Sequence, residues 1–108
     1  MIIEVRALTL KAGTRAAFHD LYVRESVPLL KRWHFDVVAY GPSLHNDDSY
    51  YVIRSFVDVD ERQKNEDAFY GSTDWREGPR EALLGMIDSY TDTVFEVDEM
   101  TLQGLRRK

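Results

Sequence analysis

Two arginines stand where arginine is unusual. Arg6 falls inside the apolar run Ile2 to Leu10, and Arg54 inside Tyr50 to Val57. A guanidinium in mid-strand must find a partner, because an uncompensated buried charge is strongly destabilising. One reading makes the two an anion site for a carboxylate or enolate, with Tyr51 or Tyr50 as hydroxyl partner. The other pairs them with Glu4, which shares the face of Arg6 by strand alternation, or with Asp92 and Glu96 near the C-terminus. His19 lies beside Phe18 on a helical stripe. Its imidazole suits proton abstraction near neutral pH, and it equally suits the boundary of a core. Tyr70 and Trp75 flank Gly71-Ser72, where they wall a cleft between helices and sheet or anchor a broken helix. The candidate ligand-binding residues are therefore Arg6, His19, Tyr51, Arg54, Tyr70 and Trp75. No residue carries a catalytic assignment.

Much other chemistry is excluded. The chain has no cysteine, hence no thiol nucleophile, disulfide, iron–sulfur site or thiolate zinc site. His19, His34 and His45 show no metal-ligand spacing, and no Gly-rich phosphate loop or nucleophile elbow occurs, so neither metal nor cofactor is expected. Asp47-Asp48 and Glu66-Asp67 are adjacent and do not face one another on a strand or helix. With 14 basic and 19 acidic residues the net charge is −5, which argues against a nucleic-acid partner. Met1-Ile2-Ile3 meets Glu4 at once, unlike a secretory signal, and no apolar run approaches the roughly 18 residues of a membrane span. A cytoplasmic protein without membrane partners is the expectation. A length of 108 residues with 44% hydrophobic content fits one domain.

The elements that must position these side chains follow from spacing. Ile2 to Leu10 reads as a strand closed by Lys11-Ala12-Gly13. Phe18, Leu21, Tyr22, Leu29 and Trp33 recur at helical spacing, and Pro28 should kink that helix or start a new segment near Glu25. Residues 35–44 and 50–57 form a hairpin around His45-Asn46-Asp47-Asp48. Asp58 with Glu61 resembles a capping box and opens a helix to about Tyr70, stopped by Gly71. Ser72 restarts a short piece, and Pro79 opens a helix whose inner face is Leu83, Leu84 and Ile87. Tyr90 to Val97 is the last strand. Residues 1–98 make the domain and 99–108 a polar tail. The charged stretches 58–71 and 101–108 read as solvated faces, and the end Arg106-Arg107-Lys108 is too short to argue a partner. The order β-α-β-β-α-β is a ferredoxin-like α+β plan with helices on one face.

The strands do not alternate cleanly. Val37-Val38, Val52-Ile53 and Val94-Phe95 put an apolar residue on each face, so both faces need cover. The helices cover one. A second copy of the sheet, in a two-fold homodimer, is the simplest cover for the other.

The run Phe69-Tyr70-Gly71-Ser72-Thr73-Asp74-Trp75-Arg76-Glu77-Gly78-Pro79-Arg80-Glu81, followed by Ile87 and Ser89-Tyr90, resembles the C-terminal half of a NIPSNAP domain. Glu4-Val5-Arg6 with Leu10-Lys11-Ala12-Gly13 is similar to that family's opening segment, and Tyr50 to Phe56 to its third strand. The likeness spans about residues 3–97. At Leu8, where the family often carries an aromatic, this chain departs. The resemblance implies a dimeric α+β barrel. It implies no settled reaction, although that superfamily includes cofactor-free monooxygenases, isomerases, haem-degrading enzymes and stress-response proteins. A homodimer binding a small apolar or aromatic ligand is the leading expectation; a cofactor-free monooxygenase or isomerase is the alternative, and a purely partner-binding dimer the third.

Overall fold

The central strand is β1 (Ile2–Leu10), which pairs antiparallel with β3 (Ser49–Phe56) on one side and β4 (Ile87–Glu96) on the other. β2 (Asp36–Pro42) closes the β3 side, giving the order β2-β3-β1-β4. This computed structural model describes residues 1–106; Arg107 and Lys108 of the basic end lie outside the described residues. Strand alternation gives the sheet two different faces. Ile2, Leu8 and Leu10 of β1 with Tyr50, Val52 and Phe56 of β3 pack under the two helical arms. Ile3, Val5, Tyr51 and Ile53 point the other way. The α+β ferredoxin-like plan read from the sequence is the plan observed.

The first arm is α1 (Arg15–Leu21), a π-helical turn (Tyr22–Ser26) and α2 (Val27–Arg32). The break expected near Glu25 occurs, by widening. Pro28 has no N–H for the preceding turn, and the Val27 N–H reaches back five residues to the Tyr22 carbonyl. The arm can therefore stay on the sheet, with Phe18, Tyr22, Leu29 and Leu30 all buried.

In the second arm, α3 (Val59–Tyr70) is capped by Asp58, whose carboxylate accepts the Glu61 N–H at 2.8 Å. α4 (Thr73–Arg76) starts at Ser72, which caps the Trp75 N–H at 3.2 Å. α5 (Arg80–Leu84) follows Pro79. Between them a Cβ on Gly78 would stand 2.3 Å from the Asp74 carbonyl oxygen, so the turn admits only glycine. Ile87 corrects the sequence reading: α5 ends at Leu84, and Ile87 opens β4, opposite Leu10.

The stretch read as a polar tail also differs. Glu99–Leu105 forms a helix, α6, capped by Asp98, and Leu102 is completely buried against Ile3, Val38 and Ala39. Arg106 then clamps Asp36 through two bonds of 2.7 Å each. Part of the second sheet face is thus covered within the chain, which the two-sided strands alone did not reveal. Of the three apolar residues in α6 only Leu102 is buried, while Met100 and Leu105 are exposed, so the helix showed no apolar stripe to read. None of the described helices is long and apolar enough to cross a membrane. Leu102→Ala should cost roughly 2–4 kcal/mol in urea denaturation, the cost of an unfilled core site. A loss below about 0.5 kcal/mol, the range of surface substitutions, would mean that α6 does not depend on that contact.

Candidate functional site

Between the sheet and the helical arms lies a cavity of about 330 Å³. Leu8 and Val52 form its floor, and Phe18, Leu30, Phe69 and Leu83 its apolar walls. Trp75 joins the wall by packing on Phe69 and Tyr70, with ring centroids 5.5 and 5.3 Å apart. The Trp75 segment is itself tied to α2, since the Trp33 indole donates to Asp74 at 3.1 Å.

One end of the cavity is ionic. Arg54 and Glu4 stand directly opposite one another in the β1–β3 register, both fully enclosed. The Arg54 Nε and Nη2 donate to one Glu4 oxygen at 2.8 and 2.5 Å, and Nη2 also reaches Glu66 at 3.2 Å. The guanidinium lies over the Phe35 ring, 5.1 Å from its centroid. Arg6 holds Asp92 through two parallel bonds of 2.8 and 3.0 Å and stacks over Tyr90 at 4.5 Å. Arg62 donates to the other Glu4 oxygen at 3.0 Å. The Tyr70 hydroxyl oxygen accepts from both Arg54, at 3.0 Å, and Arg6, at 3.2 Å.

Helix α3 builds this end by spacing. Arg62, Glu66 and Tyr70 recur every four residues and so share the face turned to the sheet. The sequence reading took residues 58–71 for a solvated face. The inner stripe of α3 is instead largely polar, because the strand residues beneath it are Glu4, Arg6 and Arg54. An amphipathic pattern cannot announce a helix whose buried face is charged.

Protonation follows from this crowding. Burial pushes the Glu66 carboxyl up to about 7, helped by its hydrogen bond with Glu4 and the Glu4 charge. Burial also opposes the charge on Glu4, but the hydrogen bond with Glu66 and the guanidiniums of Arg54 and Arg6 outweigh it and hold Glu4 at about 2. The pair thus keeps one proton, on Glu66, into the neutral range.

Of the residues singled out from the sequence, Arg6, Arg54, Tyr70 and Trp75 line the cavity. Tyr51 does not: it differs from Arg54 by an odd number of strand positions and so lies on the opposite face, with Ile3 and Val38. His19 does not either. It is exposed on α1, where its Nδ1 lies 2.6 Å from the Tyr50 hydroxyl. Glu4 and Asp92 are the acidic partners of the arginines; Glu96, two registers away opposite Ile2, is not. The sequence reading missed Glu66 and Tyr90, and it missed Ser26. Tyr90 was legible from register, being opposite Leu8 across β1 and β4. Ser26 lines the cavity from the π-helical turn, and its Oγ is buried with no hydrogen-bond partner among the described residues. π-helical turns recur at functional sites.

The comparisons with known proteins fall on the same fold. The chain superposes on a NIPSNAP domain protein from Burkholderia xenovorans with a TM-score of 0.81 at 12% identity, covering 92% of this chain and 96% of that one. A NIPSNAP family protein of unknown function from Agrobacterium tumefaciens gives 0.81 at 19% identity, over 88% and 86%. A candidate antibiotic biosynthesis monooxygenase from Bordetella bronchiseptica gives 0.72 at 20% identity, over 90% and 96%. At these identities the likeness shows a shared α+β fold of the single chain. No family model matches the chain, and no curated protein does.

The two carboxyls give stability opposite pH windows. Glu66 is raised, so its share of stability is present below its ordinary value of 4.5 and is lost as pH rises through about 7. Glu4 is lowered, so its share is present above 4.5 and is lost as pH falls through about 2. Glu66→Gln should therefore flatten the decline of folding free energy between pH 5 and pH 7, measured by urea titration at each pH. An unchanged slope would contradict the placement of the proton. Glu4→Gln strands Arg54 and should cost roughly 3–5 kcal/mol at neutral pH.

Proposed function

We propose that this chain is a NIPSNAP-like domain that pairs with a second copy through the open face of its sheet and holds a small apolar or aromatic ligand between sheet and helices. The cavity carries the reading. Its volume of about 330 Å³ lies at the small end of ligand sites, and its walls are apolar and aromatic with a few convergent polar groups at one end. Neighbours of the same fold include NIPSNAP proteins, one of them of unknown function, so binding is proposed here without a reaction.

The open face supports the pairing. α6 shields Ile3, Val38 and Ala39, but Val5, Tyr51 and Ile53 are only half-buried, and Phe95 of β4 is 45% exposed beside them. A contiguous apolar strip of this kind across several strands suits a self-complementary two-fold contact.

A cofactor-free monooxygenase or isomerase is the second reading. The observation favouring it is the Tyr70 hydroxyl held between two guanidiniums at the cavity wall, in a fold shared with a candidate antibiotic biosynthesis monooxygenase. Both arginines are already matched by carboxylates, which favours binding over chemistry.

Two measurements test the leading reading. Light scattering at micromolar concentration should return twice the chain mass, and Phe95→Glu should return the monomer with its fold intact. A wild-type monomer removes the dimer. In thermal denaturation, 2-naphthol at about one hundred times its dissociation constant should add about 2.7 kcal/mol of stability. No shift with either 2-naphthol or naphthalene would remove the ligand cavity.

A further inference from the structure

The ionic end of the cavity counts Arg6, Arg54 and Arg62 against Glu4, Glu66 and Asp92. Fully ionised, the six cancel. The three carboxylates are not equivalent. Glu4 is enclosed and takes Arg54 on one oxygen and Arg62 on the other. Asp92 is engaged by Arg6 at both oxygens. Glu66 receives only the Arg54 Nη2, a nitrogen already closer to Glu4, and Arg62 at a longer 3.5 Å. Two carboxylates converging on one guanidinium nitrogen repel, and the more weakly held of them is the natural seat of a proton. Glu66 is also the one carboxylate of the three that lines the cavity.

A proton on Glu66 leaves the cluster with one surplus positive charge. That surplus meets the cavity through Arg6 and Arg54, which line it. Two further polar groups are available there. The Ser26 hydroxyl is buried without a hydrogen-bond partner among the described residues. The Tyr70 oxygen accepts from both arginines, and no acceptor among the described residues takes its proton.

We propose that the cavity is a proton-linked site for an amphipathic monoanion, its apolar body against Leu30 and Phe69, its charge at Arg6, Arg54 and Tyr70, and its binding balanced by a proton on Glu66. The inference rests on the ligand-cavity reading above and adds the ligand's charge. The balance is one monoanion plus one proton from solvent, entering a site whose Glu66 is ionised, to give a complex whose Glu66 is neutral. The groups that face Glu66 are Glu4 from β1, Arg54 from β3, and Arg62 and Tyr70 from its own helix. Arg6 and Asp92 complete the cluster. Arg6 and Arg54 are both held above the ordinary arginine range by their acidic neighbours, so the dependence between pH 5 and pH 9 is assigned to the Glu4–Glu66 pair. A dianion exceeds the surplus, and a cation meets two guanidiniums.

Calorimetry with naphthalene-2-sulfonate, a monoanion throughout that range, tests this against the neutral isostere naphthalene-2-sulfonamide. Wild-type affinity for the sulfonate should be level below about pH 6 and fall about tenfold per unit well above pH 7, where the proton must come from solvent. At pH 8 binding should take up close to one proton, read from heats in two buffers of different ionisation enthalpy. Glu66→Gln keeps the shape of the protonated side chain; its sulfonate affinity should be level throughout, with no uptake. Proton uptake by the wild type stands as the test on its own should the variant fail to fold. A level wild-type profile overturns the proposal, as does a dependence that survives in Glu66→Gln. Binding of the sulfonamide alone leaves the ligand cavity standing and overturns the charge. Binding of neither overturns both.

Discussion

The Glu4–Arg54 pair is the contact on which the rest of the site depends. The two residues are cross-strand partners on the innermost strands and neither reaches solvent. Ions so placed lose several kcal/mol of hydration each, which only a full set of hydrogen bonds offsets. That demand recruits α3. Arg62 satisfies the second Glu4 oxygen, Tyr70 satisfies Arg54 Nη1, and Glu66 takes what remains of Nη2. The helix is therefore seated on the sheet by charge near its middle and by Phe69 near its end, rather than by one apolar stripe.

Seating a helix on paired ions has a geometric consequence. Arg54, Glu66 and Tyr70 of the ionic cluster form one end of the cavity, and Phe18 and Leu30 of the first arm stand among its apolar walls. The π-helical turn adds to it from the other side, because a widened turn presents Ser26 at a position that a regular helix would give to another residue. Pro28 is the origin of that turn. A proline in one helix and an ion pair in the sheet together shape a single space.

Much of this was legible in the sequence. The sequence of elements, the helical break near Glu25, the cap at Asp58 and the helix restart at Ser72 all rest on local rules of backbone geometry, and local rules survive folding. The strand arginines stood out because their type conflicts with their place. What stayed hidden depended on the third dimension. Tyr51 is the exception, since strand parity alone sets it on the face opposite Arg54. His19 lies on the right helix but toward the β2–β3 end, where Tyr50 engages it. Glu66 looked like one more charge on a polar helix, because its meaning arises only when α3 is laid over Glu4 and Arg54. Leu102 is the same case reversed: one buried leucine creates a helix dock without any pattern to announce it.

β4 joins the two faces of the molecule. Its Asp92 and Tyr90 complete the ionic end on the cavity side, while Phe95 faces the open side. Among the described strands it pairs only with β1, and nearly every residue in it is exposed. A long edge strand with free backbone groups is a liability that folds usually cover. In the proposed dimer the partner would press on Phe95, and through the backbone of the same strand it would steady Asp92 against Arg6. The ionic end would then be held from below by assembly as well as from above by α3. The constraint that begins with one buried glutamate would extend to the contact between copies, with β4 as the strand that carries it.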